Sequence, residues 1–173
     1  MVLLSESDIS FLEPVYAIGQ AAKLVGIAVP TLRMYEKAGL VIPFRTSTNR
    51  RLYSRHDIEH MRILLNLVRQ KRLNIETLRR FSGLIPCWKM NNCPEHIYEK
   101  CLAYSDEVYV PCWELLGTYC KSSLNNCRTC AVYLSCAELL DRPKKLIKND
   151  RLKTRFPIQE LPLKDTNIDN PGK

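Results

Sequence analysis

The stretch from Tyr16 to Ile85 limits the possible folds of this chain more than any other part of it. Its apolar residues come in short helical patterns, cut at fixed points by glycine and proline. Ile18, Ala21, Ala22 and Val25 share one helical face. Gly26 stops that helix, because glycine alone enters the left-handed C-cap region without strain. Pro30 suits a first helical turn, where no N–H is needed. Leu32 and Tyr35 then face inward, and Gly39 ends the second pattern. Two short helices joined by about three to four residues have the geometry in which the second enters a DNA major groove.

The next residues predict a wing. Leu40-Val41-Ile42 and Arg51-Leu52-Tyr53 are placed to pair as a hairpin around Pro43 and Asn49. Arg45, Arg50 and Arg51 would project from it toward phosphates, since three like charges in one short loop repel unless an anion is near. Ser54-x-x-Asp57 reads as a helix-capping start. Ile58, Met61, Leu65 and Val68 follow as the core face of that third helix. Asn74 caps a short fourth helix with Leu78 and Phe81 inward, ended by Gly83. His56 and His60 lie one turn apart on the third helix. No cysteine or carboxylate frames them as ligands, and they are expected at the surface.

The segments AIGQAAKLVGIAV, TLRMYEKAGL, RRLYS and DIEHMRILLNLVR occur in that order. They resemble the winged helix-turn-helix domain of the MerR family of bacterial regulators. The resemblance implies DNA contacts from Arg33 and Tyr35, with Thr31 beside them, on the second helix. It implies wing contacts to phosphate from Arg51 and Tyr53. It also implies duplex promoter DNA as partner, RNA polymerase at the promoter and a two-fold homodimer. The sequence departs from the family at Met34, where a second tyrosine is frequent, and at Asn49-Arg50, where Gly-Tyr is common. The long pairing helix of the family is missing as well: Pro86 follows at once, and no sustained heptad appears. A dimer would then be held by the cysteine-rich region or formed only on DNA.

Charge supports a nucleic-acid partner for the head. From Pro14 to Pro86 there are thirteen Lys/Arg against four Asp/Glu, a net of +9. From Cys87 to Leu140 the balance is −2, with four basic residues against six acidic ones. Basic charge sits where phosphate neutralisation would need it. Met1 to Glu13 carry three acids and no Lys or Arg, unlike a signal peptide. No stretch reaches transmembrane length. A cytoplasmic, soluble protein without membrane contact is expected.

All eight cysteines fall between Cys87 and Cys136: Cys87, Cys93, Cys101, Cys112, Cys120, Cys127, Cys130 and Cys136. Ile85-Pro86-Cys87-Trp88 and Val110-Pro111-Cys112-Trp113 form an internal repeat twenty-five positions apart. Cys127-x-x-Cys130 has the chelate spacing of zinc and iron–sulfur sites. The pattern resembles a tandem Cys-Trp module attached to bacterial sensors and regulators. Disulfides are disfavoured in a reducing cytosol, and eight cysteines in fifty residues exceed ordinary use. Thiolate ligation remains, by an iron–sulfur cluster or by zinc. Trp88 and Trp113 would shield a cluster or form a small core. Cys112, Cys120, Cys127 and Cys130 are the densest group, and Cys136 fits the repeat worst.

The expected fold is mainly α: an N-terminal extension over residues 1–13, a winged helix-turn-helix over 14–86, a small irregular cysteine-rich module over 87–140, and a basic extended tail over 141–173. The expected function is a sequence-specific regulator whose cysteine module senses redox state or metal, signalling to the head through Gly83 to Pro86. A DNA-binding protein with a purely structural zinc module is the alternative, and a redox or electron-transfer protein ranks last. No nucleotide-binding glycine motif, Ser/His/Asp grouping or paired carboxylates suggest an enzyme.

Overall fold

The computed structural model describes residues 10–124 and 126–144, with the side chains of 122–124 left aside. Most of the predicted N-terminal extension and the basic tail beyond Lys144 therefore lie outside the described residues. The first elements are a short strand β1 (Tyr16–Ala17), α1 (Ile18–Val25) and α2 (Val29–Lys37). Glycine and proline punctuate them as the sequence predicts. Gly26 caps α1 at φ 78°. Pro30 sits in the first turn of α2. Gly39 turns the chain at φ 70°.

The wing differs in register from its sequence reading. Strand β2 is Phe44–Arg45, β3 is Arg51–Tyr53, and β3 lies between β1 and β2. Tyr16 pairs with Tyr53, and Phe44 with Leu52, both antiparallel. Leu40 and Val41 are not strand residues. They are buried in the core, because their apolar side chains gain more there than a solvated hairpin edge offers.

Helix α3 (Arg55–Arg69) begins with the capping box expected of Ser54 and Asp57, and Asp57 N–H donates to Ser54 Oγ at 3.1 Å. Helix α4 (Ile75–Gly83) is capped by Asn74, which accepts from Thr77 N–H at 2.7 Å. Leu78 is buried as predicted, whereas Phe81 is 47% exposed. The cysteine-rich region follows as short pieces: α5 (Cys87–Met90), α6 (Glu95–Tyr98), α7 (Tyr119–Leu124), two 3₁₀ turns at Leu102–Tyr104 and Cys127–Thr129, and α8 (Ala131–Asp141).

Helix α8 unites the two regions. Ala137 joins the head core of Ala21, Leu32, Tyr35, Tyr53, Met61 and Leu64. Tyr133, Leu134, Cys136 and Leu139 build a second core with Ile85, Met90 and Trp113. A helix buried on nearly every side suits this central place. The cysteine-rich region is thus packed onto the head and does not trail from it.

His56 and His60 are buried, against the expectation of a surface pair. The reason is α8, which no local pattern in α3 announces. His60 stacks on Tyr133 with ring centroids 5.2 Å apart, and its Nε2 lies 2.9 Å from the Leu40 carbonyl. His56 Nε2 lies 2.9 Å from the Leu134 carbonyl. Burial, then the neighbouring His56, holds His60 down at about 4, against the Asp57 charge. Below pH 6.5 the unfolded chain takes up a proton that folded His60 refuses until pH falls to about 4. Stability should therefore drop as pH falls from 6.5 toward 4, by about 3 kcal/mol from this residue. Urea unfolding across that range should show the slope, and His60→Gln should flatten it.

Candidate nucleic-acid interface and thiol basin

Seven residues were expected at the DNA surface, and the structure divides them. Arg33 on α2 and Arg45 and Arg50 on the wing are exposed, with Thr31 half-buried beside Arg33. The wing tip is ordered by its own side chains. Arg50 N–H donates to Thr46 Oγ1 at 3.0 Å, and Arg45 Nη1 reaches Asn49 Oδ1 at 3.2 Å. Asn49 takes the left-handed conformation that closes the turn, at φ 61°, which asparagine tolerates better than most residues.

Tyr35 and Tyr53 are not surface residues. They are 3% and 0% exposed and belong to the head core. The Tyr53 hydroxyl donates to Glu36 Oε1. Arg51 Nε donates to Glu36 Oε2 at 2.8 Å, which commits it to an ion pair on α2. Glu36 therefore ties the recognition helix to β3. These three positions set the angle between helix and wing, and only Arg33, Arg45, Arg50 and Thr31 remain to face a ligand. The inward spacing of Leu32 and Tyr35 was the signal that Tyr35 packs.

The eight cysteines are free thiols. Seven of them line two adjoining clefts. The first is bordered by Cys87, Cys93, Cys101 and Cys120 together with Trp88, Tyr98 and Tyr104. The second is bordered by Cys112, Cys120, Cys127 and Cys130 with Trp113. Cys120 belongs to both. The Cys87 and Cys112 thiols, one from each half of the sequence repeat, hydrogen-bond to one another across the join. Asn91 of the first cleft bonds Cys130 of the second at 3.5 Å. The two clefts form one thiol basin. Trp88, Tyr98 and Tyr104 pack as a cluster on its outer side, with Trp88 and Tyr104 centroids 4.9 Å apart.

Cys136 is elsewhere. It is buried on α8, and its Sγ lies 3.3 Å from Ser82 Oγ. Burial pushes its thiol up to about 12 despite that bond. Its inclusion among the ligands is not supported by its place in the second core, where it behaves as a small apolar side chain.

The electrostatics of the basin are those of crowded thiols. The hydrogen bond from Cys112 favours a thiolate at Cys87, outweighing burial, which opposes it. The same bond, burial and the charges of Cys87, Cys130 and Cys120 push Cys112 well up. Burial followed by the charges of Cys101, Cys87 and Cys120 raises Cys93 to about 11. Each thiolate thus discourages the next, and several can coexist only beside a cation. Soft sulfur donors fit zinc or iron in this role. Among the described residues, no three Cys, His, Asp or Glu groups converge on one point as a single-ion site; the thiols surround the two clefts instead.

The basin grips the head through Trp113, expected only to shield a cluster or form a small core, and through Glu114 and Arg128, to which sequence reasoning gave no role. Trp113, next to Cys112, donates its indole N–H to the Gly39 carbonyl at 2.7 Å. Glu114 covers Gly39, where a Cβ would collide with its carboxylate, and pairs with Arg79 at 2.7 Å. Arg128, between Cys127 and Cys130, donates to the Ile42 carbonyl at 2.9 Å and to Asp57 Oδ2 at 2.6 Å. Gly83 also packs against the Tyr109–Val110 backbone. The direct contacts on residues 39–57 are additional. Nothing in the local sequence around Arg128 announced them.

Residues 16–82 match the family described as MerR HTH family regulatory protein, a family of regulators and not of enzymes. A curated relative, the heat shock protein HspR of Streptomyces coelicolor, is 42% identical over 71 residues, which is 41% of this chain and 47% of that protein. The chain thus spans about half the length of the curated relative it matches. The thiol basin begins at Cys87, beyond the family match. No helix among the described residues is long and apolar enough to cross a membrane.

Two comparisons test this arrangement. Arg33→Ala should weaken duplex binding while leaving unfolding stability within about 0.5 kcal/mol, as for exposed positions generally. Tyr53→Phe should instead cost about 1 kcal/mol of stability, by removing a hydrogen bond to Glu36. A thiol-reactive reagent should label Cys120, which borders both clefts, in the folded chain well before it labels the buried Cys136.

Proposed function

With a MerR-type helix-turn-helix domain in its N-terminal region, we propose that this protein is a sequence-specific regulator of transcription that binds duplex promoter DNA. The observation that carries this reading is the exposed basic edge formed by Arg33 on α2 and Arg45 and Arg50 on the wing, on a head with a net charge of +9. Helix α2 enters the major groove, where Arg33 reaches base edges or phosphate. The wing arginines lie along the backbone and neutralise phosphates. Arg51 and Tyr53 act indirectly, through Glu36, by fixing the pose of helix against wing, and Tyr35 does so by its packing in the head core. A palindromic operator matches a two-fold dimer, and RNA polymerase at the same promoter is the neighbour such a dimer would influence.

The thiol basin is the sensing element in this proposal, and it holds an iron–sulfur cluster. Seven thiols border the two joined clefts, enough for the four that a cluster takes as for the four of a zinc ion, and a cluster is the reading that suits a signal-responsive regulator. A cluster would supply one-electron redox chemistry and sensitivity to oxygen or iron. Cys87, Cys93, Cys101, Cys112, Cys120, Cys127 and Cys130 are the available ligands. Trp88, Tyr98 and Tyr104 keep water from one side, which tunes such a site. A structural zinc site is the second reading. It is favoured by the packing of Cys87, Cys112, Cys127 and Cys130 against the second core, since a metal there would staple a small core that packing alone stabilises weakly.

Purification without oxygen, followed by an absorption spectrum, separates the two. Brown protein with a broad visible band is expected; colourless protein containing zinc establishes the staple instead. The same preparation should bind duplex DNA at low salt and lose affinity steeply as salt rises, because bound phosphates release counterions. A gel-shift titration with no binding at low salt would overturn the regulator reading.

A further inference from the structure

We propose that Arg128 couples the thiol basin to the wing, so that occupancy of the basin decides how firmly the wing is held. The inference rests on the reading of the basin as a metal or cluster site. Arg128 sits in the 3₁₀ turn Cys127–Thr129, flanked by two thiols of the second cleft. Its guanidinium makes three contacts on the head: the Ile42 carbonyl at 2.9 Å, Asp57 Oδ2 at 2.6 Å, and the face of Phe44, 5.8 Å from the ring centroid. Phe44 is the first residue of β2.

Tyr133, three residues after Cys130, completes the grip. Its hydroxyl accepts from Ile42 N–H at 3.0 Å and donates to Asp57 Oδ1 at 3.2 Å. Both backbone polar groups of Ile42 are therefore held from the cysteine-rich region. Ile42 lies in the short link between the recognition helix and the wing. At the other end of that link, Trp113 holds Gly39. The whole link is clamped by residues next to Cys112, Cys127 and Cys130.

The turn that carries Arg128 is held locally by three hydrogen bonds, one of them from the Thr129 hydroxyl to the Asn126 carbonyl at 3.3 Å. Asn126 accepts from Arg128 N–H at 3.1 Å, and Cys130 N–H bonds back to the Cys127 carbonyl at 3.2 Å. Ligation of Cys127 and Cys130 by one group fixes the span of the turn, and with it the reach of the guanidinium. Loss of that group frees the turn. Arg128 then leaves Ile42 and Phe44, and β2 loses the contact that orients it. Arg128 is a positioning residue here: it touches neither DNA nor the bound group.

The test uses the full chain, loaded either with zinc or with ferrous iron and sulfide without oxygen, and the same chain stripped by a chelator. Metal content, duplex affinity at low salt and backbone hydrogen exchange over residues 40–53 are read in each state. In the wild type, stripping should speed exchange in the wing and change duplex affinity by about fivefold or more, the lower end of ordinary coupling. Arg128→Lys keeps the positive charge facing Asp57 but cannot span Asp57 and Ile42 together. It should load the same metal, yet show equal wing exchange in loaded and stripped forms. If Arg128→Lys does not fold, Phe44→Leu replaces it, and the metal-dependent difference should shrink. An undiminished difference in the variant overturns the proposal, as does a wild type whose wing exchange ignores the metal. A chain that takes up no metal, or binds no duplex in any state, fails in the metal assay or the gel and overturns the reading on which this one rests.

Discussion

The buried carboxylate of Asp57 is the point on which the structure depends. It is 1% exposed, and a charge placed there is costly unless it is fully paired. Burial alone would raise its pKa. His56, the Arg128 charge and the Ser54 backbone and hydroxyl groups outweigh burial and hold it at about 2. Ser54 supplies two bonds at 2.8 and 2.9 Å, which also start α3. Arg128 and Tyr133 supply the rest from more than seventy residues away. Helix α3, the wing base and the cysteine-rich region can each be in place only if the other two are. Removing one partner from such a site typically costs about 3–5 kcal/mol, because the remaining charge is stranded.

The local half of this arrangement was legible in the sequence. Gly26, Gly39, Ser54 with Asp57, and Asn74 act through neighbours within a few residues, and the structure places each where its spacing predicts. The gathering of thiols was legible from their density, since Cys87 and Cys112 open two copies of one repeat and then meet. The non-local half was not. Nothing in α3 shows that His56 and His60 will be covered by α8. Tyr53 looks like a wing residue until Glu36 is seen to accept its hydroxyl. The wing register depended on whether Leu40 and Val41 would pair or pack, and the core won because α8 and Trp113 close over that side. Arg128 had no pattern at all. Its partners lie 71 and 86 positions away, and a single arginine between two cysteines says nothing about distance.

The cysteine-rich region is built from short pieces that could not stand alone. Helices α5 and α6 have four residues each, far below the length at which an isolated helix persists. Its apolar side chains, Ile85, Met90 and Trp113, find a core only because α8 offers Val132, Tyr133 and Leu134. The same helix lends Ala137 to the head. The region is therefore conditional in two ways under the proposed function: on its packing around α8, and on a group held by the thiols for closure of its turns. A device with two such conditions sits at the low-stability end of a fold, from which switching elements are drawn.

Coupling of this kind is reciprocal. If occupancy of the basin steadies Ile42 and Phe44, then a duplex that steadies the wing must in turn favour the arrangement of Arg128 and Cys127–Cys130 that suits occupancy. The exchange follows from the contacts, because the link from Gly39 to Phe44 is held on one side by the basin and, under the proposed function, on the other by DNA. Neither side needs to move far. Arg128 meets its acceptors at 2.6 and 2.9 Å, where a shift of an ångström already breaks a hydrogen bond. Packed cores respond to such shifts by changing arrangement and not by stretching. Under the proposed function, a signal read by sulfur would reach a surface read by phosphate through one guanidinium and one backbone unit, Arg128 and Ile42.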